Sequence, residues 1–294
     1  MAASYLGDRV NVLRQAQNED GGWGYFPNKT SWLEPTIYCA LALHGSRESD
    51  RAWALIKNWQ NPDGGFRPSA EVEISHSATA LCVSAAVGRG ETGEVLHKGV
   101  GWLLGTSGNE SEMYKRVILR IGRVFGLVQD QRDFSMKGWP WKPDTASWVE
   151  PTSHALVALK QAALKQSKID STELRERVRL GEGMLMDVRA TDGGWNYGNR
   201  TARGEDLRSY PETTGIALVG LQGRKDLGTS FDLAKTMLGE TSSPLARAWL
   251  TIAMRVNGLA AEEETGEPSN DILITALEAL GASGGNYRLL QVPA

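Results

Sequence analysis

One phrase recurs along this chain and restricts what it can fold into. It reads QNEDGGWG at 17–24, QNPDGGFR at 60–67 and RATDGGWN at 189–196, with a looser copy, MKGWPWKP, at 136–143. Each copy follows one helix-periodic run and precedes another. Asp-Gly-Gly ends a helix because glycine takes up positive φ without strain, and the aromatic that follows pins the turn against its neighbour. A turn-and-helix unit of this kind cannot bury its apolar face alone, so the repetition predicts stacked copies sharing one core.

The runs after the turns are short, apolar nearly all round and rich in small residues: PTIYCALALHG, SATALCVSAAVG, PTSHALVALKQAAL, TTGIALVGLQG and PLARAWLTIAMRVNG. Helices with that pattern are buried. The runs before the turns, such as DRVNVLRQAQ, RAWALIKNWQ and LRERVRLGEGMLMDV, are amphipathic and belong outside. With NESEMYKRVILRIGRVFG as a further inner candidate, the reading is an all-α fold: an α/α toroid of two concentric rings, about six helices in each. It is expected to span 1–294 as one domain, with 106–135 an irregular insertion or atypical repeat and 259–294 a closing segment.

A net charge of -3 and a pI of about 5.9 give no electrostatic reason to expect nucleic acid. No apolar run is long enough to cross a bilayer, and the first residues lack a signal-peptide core. Contact with a membrane surface is left open. Cys39 and Cys82 both fall within apolar helical stretches, which predicts buried free thiols and a cytoplasmic location.

A second repetition bears on function. TSWLEPTIYCALAL at 30–43 returns as ASWVEPTSHALVAL at 146–159, 116 positions later. Glu34 and Glu150 precede Pro35 and Pro151, which places each at a helix N-cap with Pro at N1. Alignment on the Ala-Leu cores brings Glu212, His76 and Ser243 to the same level. If the inner helices run parallel, these tips converge at one mouth of a central cavity. Capping and the helix dipole account for three glutamates at ~0.3–1 kcal/mol each. Three carboxylates facing one apolar cavity would also repel, so that one keeps its proton near neutral pH, as protonation of an alkene or epoxide requires.

The Gln-Asp-Gly-Gly-Trp phrase resembles the Gln-Trp repeat of squalene-hopene and oxidosqualene cyclases and of prenyltransferase β-subunits, over most of the chain. The resemblance implies an α/α toroid and an apolar, isoprenoid-like ligand. In the cyclases an Asp-x-Asp-Asp-Thr segment opens an inner helix and supplies the acid. Here Glu34-Pro35-Thr36 and Glu150-Pro151-Thr152 stand in that place, and the full motif is absent. Those cyclases also carry two barrels, whereas this chain has length for one. In the prenyltransferases zinc is held by an Asp-x-Cys pair and a His that opens an inner helix. His76 matches the His, the pair has no counterpart, and no cofactor is expected.

On this basis Glu150 or Glu34 is the expected acid and His154, four residues after Glu150, its tuning partner; Glu212 and His76 complete the polar end. The aromatics Trp32, Trp148 and Tyr210, two residues before each acid, and Tyr38 and Trp249 along inner helices, are read as lining able to stabilise a cation. Arg247 is placed toward the cavity. Arg116 and Arg120, with Arg123, are read as a cationic face for a diphosphate if it points inward, or a solvated outer face if not. The loop 198–210 is either a lid or a surface excursion. The functional expectation is acid-initiated cyclisation or isomerisation of an isoprenoid. The alternatives are a non-catalytic module binding a lipid, peptide or protein, and a subunit working as a homodimer or beside a helical partner.

Overall fold

The computed structural model describes residues 5–125, 132–165, 171–202, 205–262 and 265–293. Its helices in chain order are α1 (Tyr5–Gln15), α2 (Leu33–Ala42), α3 (Arg47–Lys57), α4 (Thr79–Gly88), α5 (Glu94–Gly105) and α6 (Met113–Val124). They continue with α7 (Val149–Lys165), α8 (Ser171–Asp187), α9 (Pro211–Gly220), α10 (Gly228–Glu240), α11 (Pro244–Val256) and α12 (Ile272–Gly281). The fold is all-α. Among the described residues the only strands are two two-residue ladders, Trp139–Pro140 with Ser147–Trp148 and Thr201–Ala202 with Glu205–Asp206.

Six helices close a ring in the order α2, α4, α7, α9, α11, α12 and back to α2. Outside it, α1 packs on α12, α3 on α2, α5 on α4, α8 on α7 and α10 on α9. The predicted toroid is present, with one inner helix reassigned. The 106–135 stretch contributes α6 to the outside of the molecule, and the sixth inner helix is α12, from the C-terminal segment. The reason is charge. α6 carries Lys115, Arg116, Arg120 and Arg123 and no acid, so burying it would strand cations in the core. α12 carries one charge, Glu278, whose Oε2 accepts from Arg9 Nε of α1 at 2.9 Å.

The repeated phrase explains how the rings interlock. Gly21, Gly64 and Gly193 share φ of 94°, 94° and 95°. The following glycine packs where a Cβ would collide with a serine, Ser31 against Gly22, Ser75 against Gly65 and Ser209 against Gly194. The aspartate Oδ1 accepts from that glycine's N–H, Asp20 from Gly22, Asp63 from Gly65 and Asp192 from Gly194. The aromatic then donates its backbone N–H to a threonine hydroxyl in the first turn of the next inner helix. The pairs are Trp23 with Thr36, Phe66 with Thr79, Trp139 with Thr152 and Trp195 with Thr214, at 2.8–3.0 Å. MKGWPWKP therefore makes the same aromatic–threonine contact, although it lacks the Asp-Gly-Gly turn.

Each turn also caps the inner helix before it in the ring. Two residues beyond the aromatic, a backbone carbonyl accepts from the start of that helix: Tyr25 O from Ile272 N, Pro68 O from Leu33 N, Trp141 O from Ser77 N and Tyr197 O from Val149 N, at 2.8–3.0 Å. The first of these joins the two ends of the ring. Otherwise orphaned N–H groups are thus satisfied by neighbouring backbone, leaving the side chains at the helix tips available for other work. No helix among the described residues is long and apolar enough to cross a membrane.

Candidate functional site

The turns and helix N-termini gather at one end of the inner ring. Glu34 and Glu212 are the second residues of α2 and α9, and Glu150 is the second of α7. The predicted N-cap placement is thus corrected: the caps of α2 and α9 are Trp32 and Tyr210, whose side chains make no capping bond. The glutamates meet tyrosines instead. Tyr25 Oη donates to Glu34 Oε2 at 2.5 Å, and Tyr197 Oη donates to Glu212 Oε1 at 3.1 Å. Both tyrosines stand two residues after the turn tryptophan, in GGWGY and GGWNY. The third residue of this set, Trp141 in GWPW, lies against the His76 ring with centroids 5.8 Å apart.

These tyrosines and Trp141 were missed by sequence reasoning, although the Trp-x-aromatic spacing was there to be found. Asp271, the fourth acid at this end, was missed too. It caps α12 by accepting from Leu273 and Ile274 N–H groups, and its charge bears on Glu34 and Tyr25. Its local sequence marks a helix cap and no more, because only ring closure brings α12 beside α2 and its carboxylate to the mouth.

Electrostatics separates the acids. Burial pushes the Glu150 carboxyl up to about 8, and the charges of Glu34 and Glu212 add to the push. Burial also raises Glu34, against the downward pull of the Tyr25 hydroxyl that donates to it, and Asp271 adds a smaller upward push. Four residues along α7, burial holds His154 down to about 4, so it is neutral at pH 7. His154 Nε2 lies 3.9 Å from Glu150 Oε1, beyond hydrogen-bond reach, and 3.3 Å from Tyr38 Oη. Tyr38 and His154 occupy the same position in the two copies of the long repeat. The duplication has brought them together across the ring, with their planes 68° apart in an edge-on contact.

The centre of the ring is filled. The Trp249 ring packs edge-on against Tyr38 at 5.9 Å and His154 at 5.5 Å. Above this plug, a cavity of about 10 Å³ is bounded by Glu34, His76, Trp141, Glu150 and His154. Below it lies another of about 10 Å³, walled by Leu81, Val157, Ile216 and Trp249. Each has room for roughly one water molecule. The glycines of α9 help close the centre, since a Cβ on Gly215 would stand 2.8 Å from the Trp249 carbonyl carbon and one on Gly220 2.6 Å from Ser153 Cα.

The other predicted residues divide. Trp32, Trp148 and Tyr210 form a half-exposed rim around the mouth, where Trp32 packs with Tyr25 and Tyr210 with Tyr197. His76 sits at the mouth, with Nδ1 accepting from Ala78 N–H and burial lowering its pKa. Counting back from Thr79, the glutamate position of this copy is held by Ser77, one residue after His76. Ser243 caps α11 by accepting from Ala246 N–H. Arg247 is not in the site: its Nη1 donates to the Leu238 carbonyl of the outer helix α10. Arg116 and Arg120 do not face the ring either. With Arg123 they line a separate cavity of about 370 Å³ between α6 and residues 133–135. Cys39 and Cys82 are buried free thiols, as expected, raised by burial. The 198–210 loop carries the second small ladder, residues 203 and 204 lie outside the described ones, and most of the residues whose burial is described are solvent-exposed. Among the described residues no three His, Cys, Asp or Glu side chains come together as metal ligands.

The arrangement defines a class: an α/α toroid with an acid-lined, aromatic-rimmed mouth. No family model and no curated protein matches the chain. Solved structures share the fold. A variant of type II terpene cyclase MstE from Scytonema, in complex with the substrate geranylgeranyl dihydroxybenzoate, aligns at a TM-score of 0.56 and 14% identity, over 97% of this chain and 96% of that one. An uncharacterized conserved protein from Thermus thermophilus aligns at 0.61 and 13% identity, over 94% and 98%. A variant of Rex8A from Paenibacillus barcinonensis, complexed with an arabinofuranosyl-xylotetraose, aligns at 0.53 and 12%, over 100% and 98%. At such identities the likeness fixes the fold, which is that of terpene cyclases among others, and leaves the chemistry to the site.

Proposed function

We propose that this chain is a terpenoid-class α/α toroid whose mouth is a proton-donating site, with Glu150 as the acid. The observation that carries the reading is the placement of Glu150 at the mouth, shielded from water and beside Glu34 and Glu212, which pushes its carboxyl up to about 8 and favours the protonated form near pH 7. A neutral carboxylic acid beside aromatic faces is the equipment for protonating an isoprenoid double bond or epoxide. The proton passes from the Glu150 carboxyl to the terminal carbon or the epoxide oxygen. The cation so formed meets the Glu34 and Glu212 carboxylates and the aromatic rim, and after cyclisation or isomerisation it loses a proton to the Glu150 carboxylate, which yields neutral product and restores the acid. Tyr25 holds Glu34 in place, and neutral His154 with Tyr38 and Trp249 forms the floor. Because the centre is filled and the space beside Glu150 holds about one water molecule, the substrate lies across Trp32, Trp148 and Tyr210 with its reactive end against the mouth rather than inside it. The ligand bound by MstE, a geranylgeranyl chain on an aromatic head, is of the class meant.

A second reading, ligand or partner binding without chemistry, draws support from the same filled centre. One experiment separates the two. Wild type and a Glu34/Glu150/Glu212→Gln variant, matched for folding by circular dichroism, are incubated with squalene, its epoxide and linear polyprenyl alcohols and diphosphates, with products read by mass spectrometry. Cyclised or isomerised products that disappear with the variant are expected. Saturable binding of the same compounds without conversion would replace the enzyme by the binding module.

A further inference from the structure

The apolar surface of α6 has no counterpart elsewhere on the described molecule. Met113 is 82% exposed and Val124 78%, and Tyr114, Val117, Ile118 and Ile121 are each more than half exposed. At 100° per residue these six lie within one arc of the helix, whereas Leu119 and Gly122 turn toward the body. Arg116, Arg120 and Arg123 run along one flank of that arc and line the cavity of about 370 Å³, with Met113, Val117 and Phe134 as its apolar wall. Arg123 already lies over the Phe134 ring, 4.6 Å from its centroid.

We infer that α6 is an interfacial helix that seats this protein on an anionic phospholipid surface. A helix with a broad apolar face, a basic flank and no acid is built to lie in the headgroup plane, its aliphatic side chains in the acyl boundary and its arginines among the phosphates. The cavity beside it is bounded by three guanidinium-bearing side chains, by Met113, Val117 and Phe134, and by Asp133 and Ser135; three cations against one carboxylate leave a net positive wall beside an apolar one, the two halves of a phospholipid's own chemistry. Charge complementarity selects the lipid over a second copy of the chain. A two-fold α6–α6 contact would press two all-basic helices together, without a carboxylate from either helix to compensate. The helix is also anchored near the mouth. Glu110, in the turn before it, accepts from Ser147 N–H at 3.1 Å, and Asn109 N donates to the Thr145 carbonyl at 3.0 Å. Ser147 lies three residues before Glu150, so the bilayer would stand beside the acidic mouth, where an apolar ligand leaving the membrane would meet it.

The test is co-sedimentation of the full chain with vesicles of phosphatidylcholine alone and of phosphatidylcholine mixed with phosphatidylglycerol, in low and high salt. Binding to the anionic vesicles, weakened by salt, is expected. Ile118→Glu/Ile121→Glu should abolish it. Arg116→Ala and Arg120→Ala should each weaken it roughly fivefold, the value of one basic residue at such a surface. Leu164→Glu, an exposed apolar site near the far end of α7, should bind like wild type. These positions are exposed, and thermal melts of each variant will verify that folding is kept. Absence of binding to anionic vesicles, or binding that the α6 variants leave unchanged, would overturn the inference. So would concentration-dependent dimerisation, lost in Ile118→Glu/Ile121→Glu, by a protein that ignores vesicles.

Discussion

Replacing Glu150 by Gln removes one titration and leaves the shape of the mouth intact. Glu150 is held up to about 8 in the folded chain against an ordinary 4.5, so the native state binds the extra proton between those values. Stability from this group is therefore complete below about 4.5 and is lost as pH rises through 8. At about 1.4 kcal/mol per unit the full loss is roughly 5 kcal/mol, and water reaching the exposed quarter of the side chain reduces this to about 2–4 kcal/mol. His154 acts in the opposite sense. Its lowered value of about 4, against 6.5, gives stability that is present above 6.5 and lost as pH falls through 4. The two slopes oppose each other from 4.5 to 6.5, and between 6.5 and about 8 only that of Glu150 remains. Thermal or denaturant unfolding across this range should find wild type losing stability and Glu150→Gln holding level by comparison. Taking the difference between the two proteins cancels the buried thiols Cys39 and Cys82, which ionise on the same side. Parallel curves for the two proteins from pH 6.5 to about 8 would refute the assignment of a neutral Glu150, and with it the proposed acid.

Other variants test the turn and the ring. Thr214→Val leaves the buried Trp195 N–H without its acceptor and should cost about 1–3 kcal/mol in denaturant unfolding, with equivalent losses at Thr36 and Thr152. Gly215→Ala places a methyl group 2.8 Å from the Trp249 carbonyl carbon, forces α9 away from α11 and should cost roughly 1–3 kcal/mol by the same assay. Tyr25→Phe deletes the hydrogen bond that pulls Glu34 down, so the Glu34 carboxyl should titrate at higher pH than in wild type, read by carbon-13 NMR of the side-chain carboxyl.

Much of this molecule was legible in its sequence because it is written in repeats. Asp20, Asp63 and Asp192 and the glycines after them specify the same turn wherever they occur, and Thr36, Thr79, Thr152 and Thr214 receive the same N–H bond. These are contacts of short or regular range, fixed by spacing. The gathering of the mouth glutamates followed for the same reason, but His154, expected beside Glu150, meets Tyr38 instead. What the sequence could not decide was which helices share the ring. α6 looked like an inner helix by length and apolar content, but a row of cations has no partner in a core, while α12 keeps its one carboxylate by meeting Arg9 from the other end of the chain. Asp271 and Arg247 changed standing on the same ground: one is drawn to the mouth by ring closure, and the other is turned to the outer ring by an acceptor on α10. Local spacing determined the unit and its polar tip. Closure decided which tips meet, how little space they enclose and which helix is left with its apolar face outward, because those depend on contacts between residues far apart in the chain.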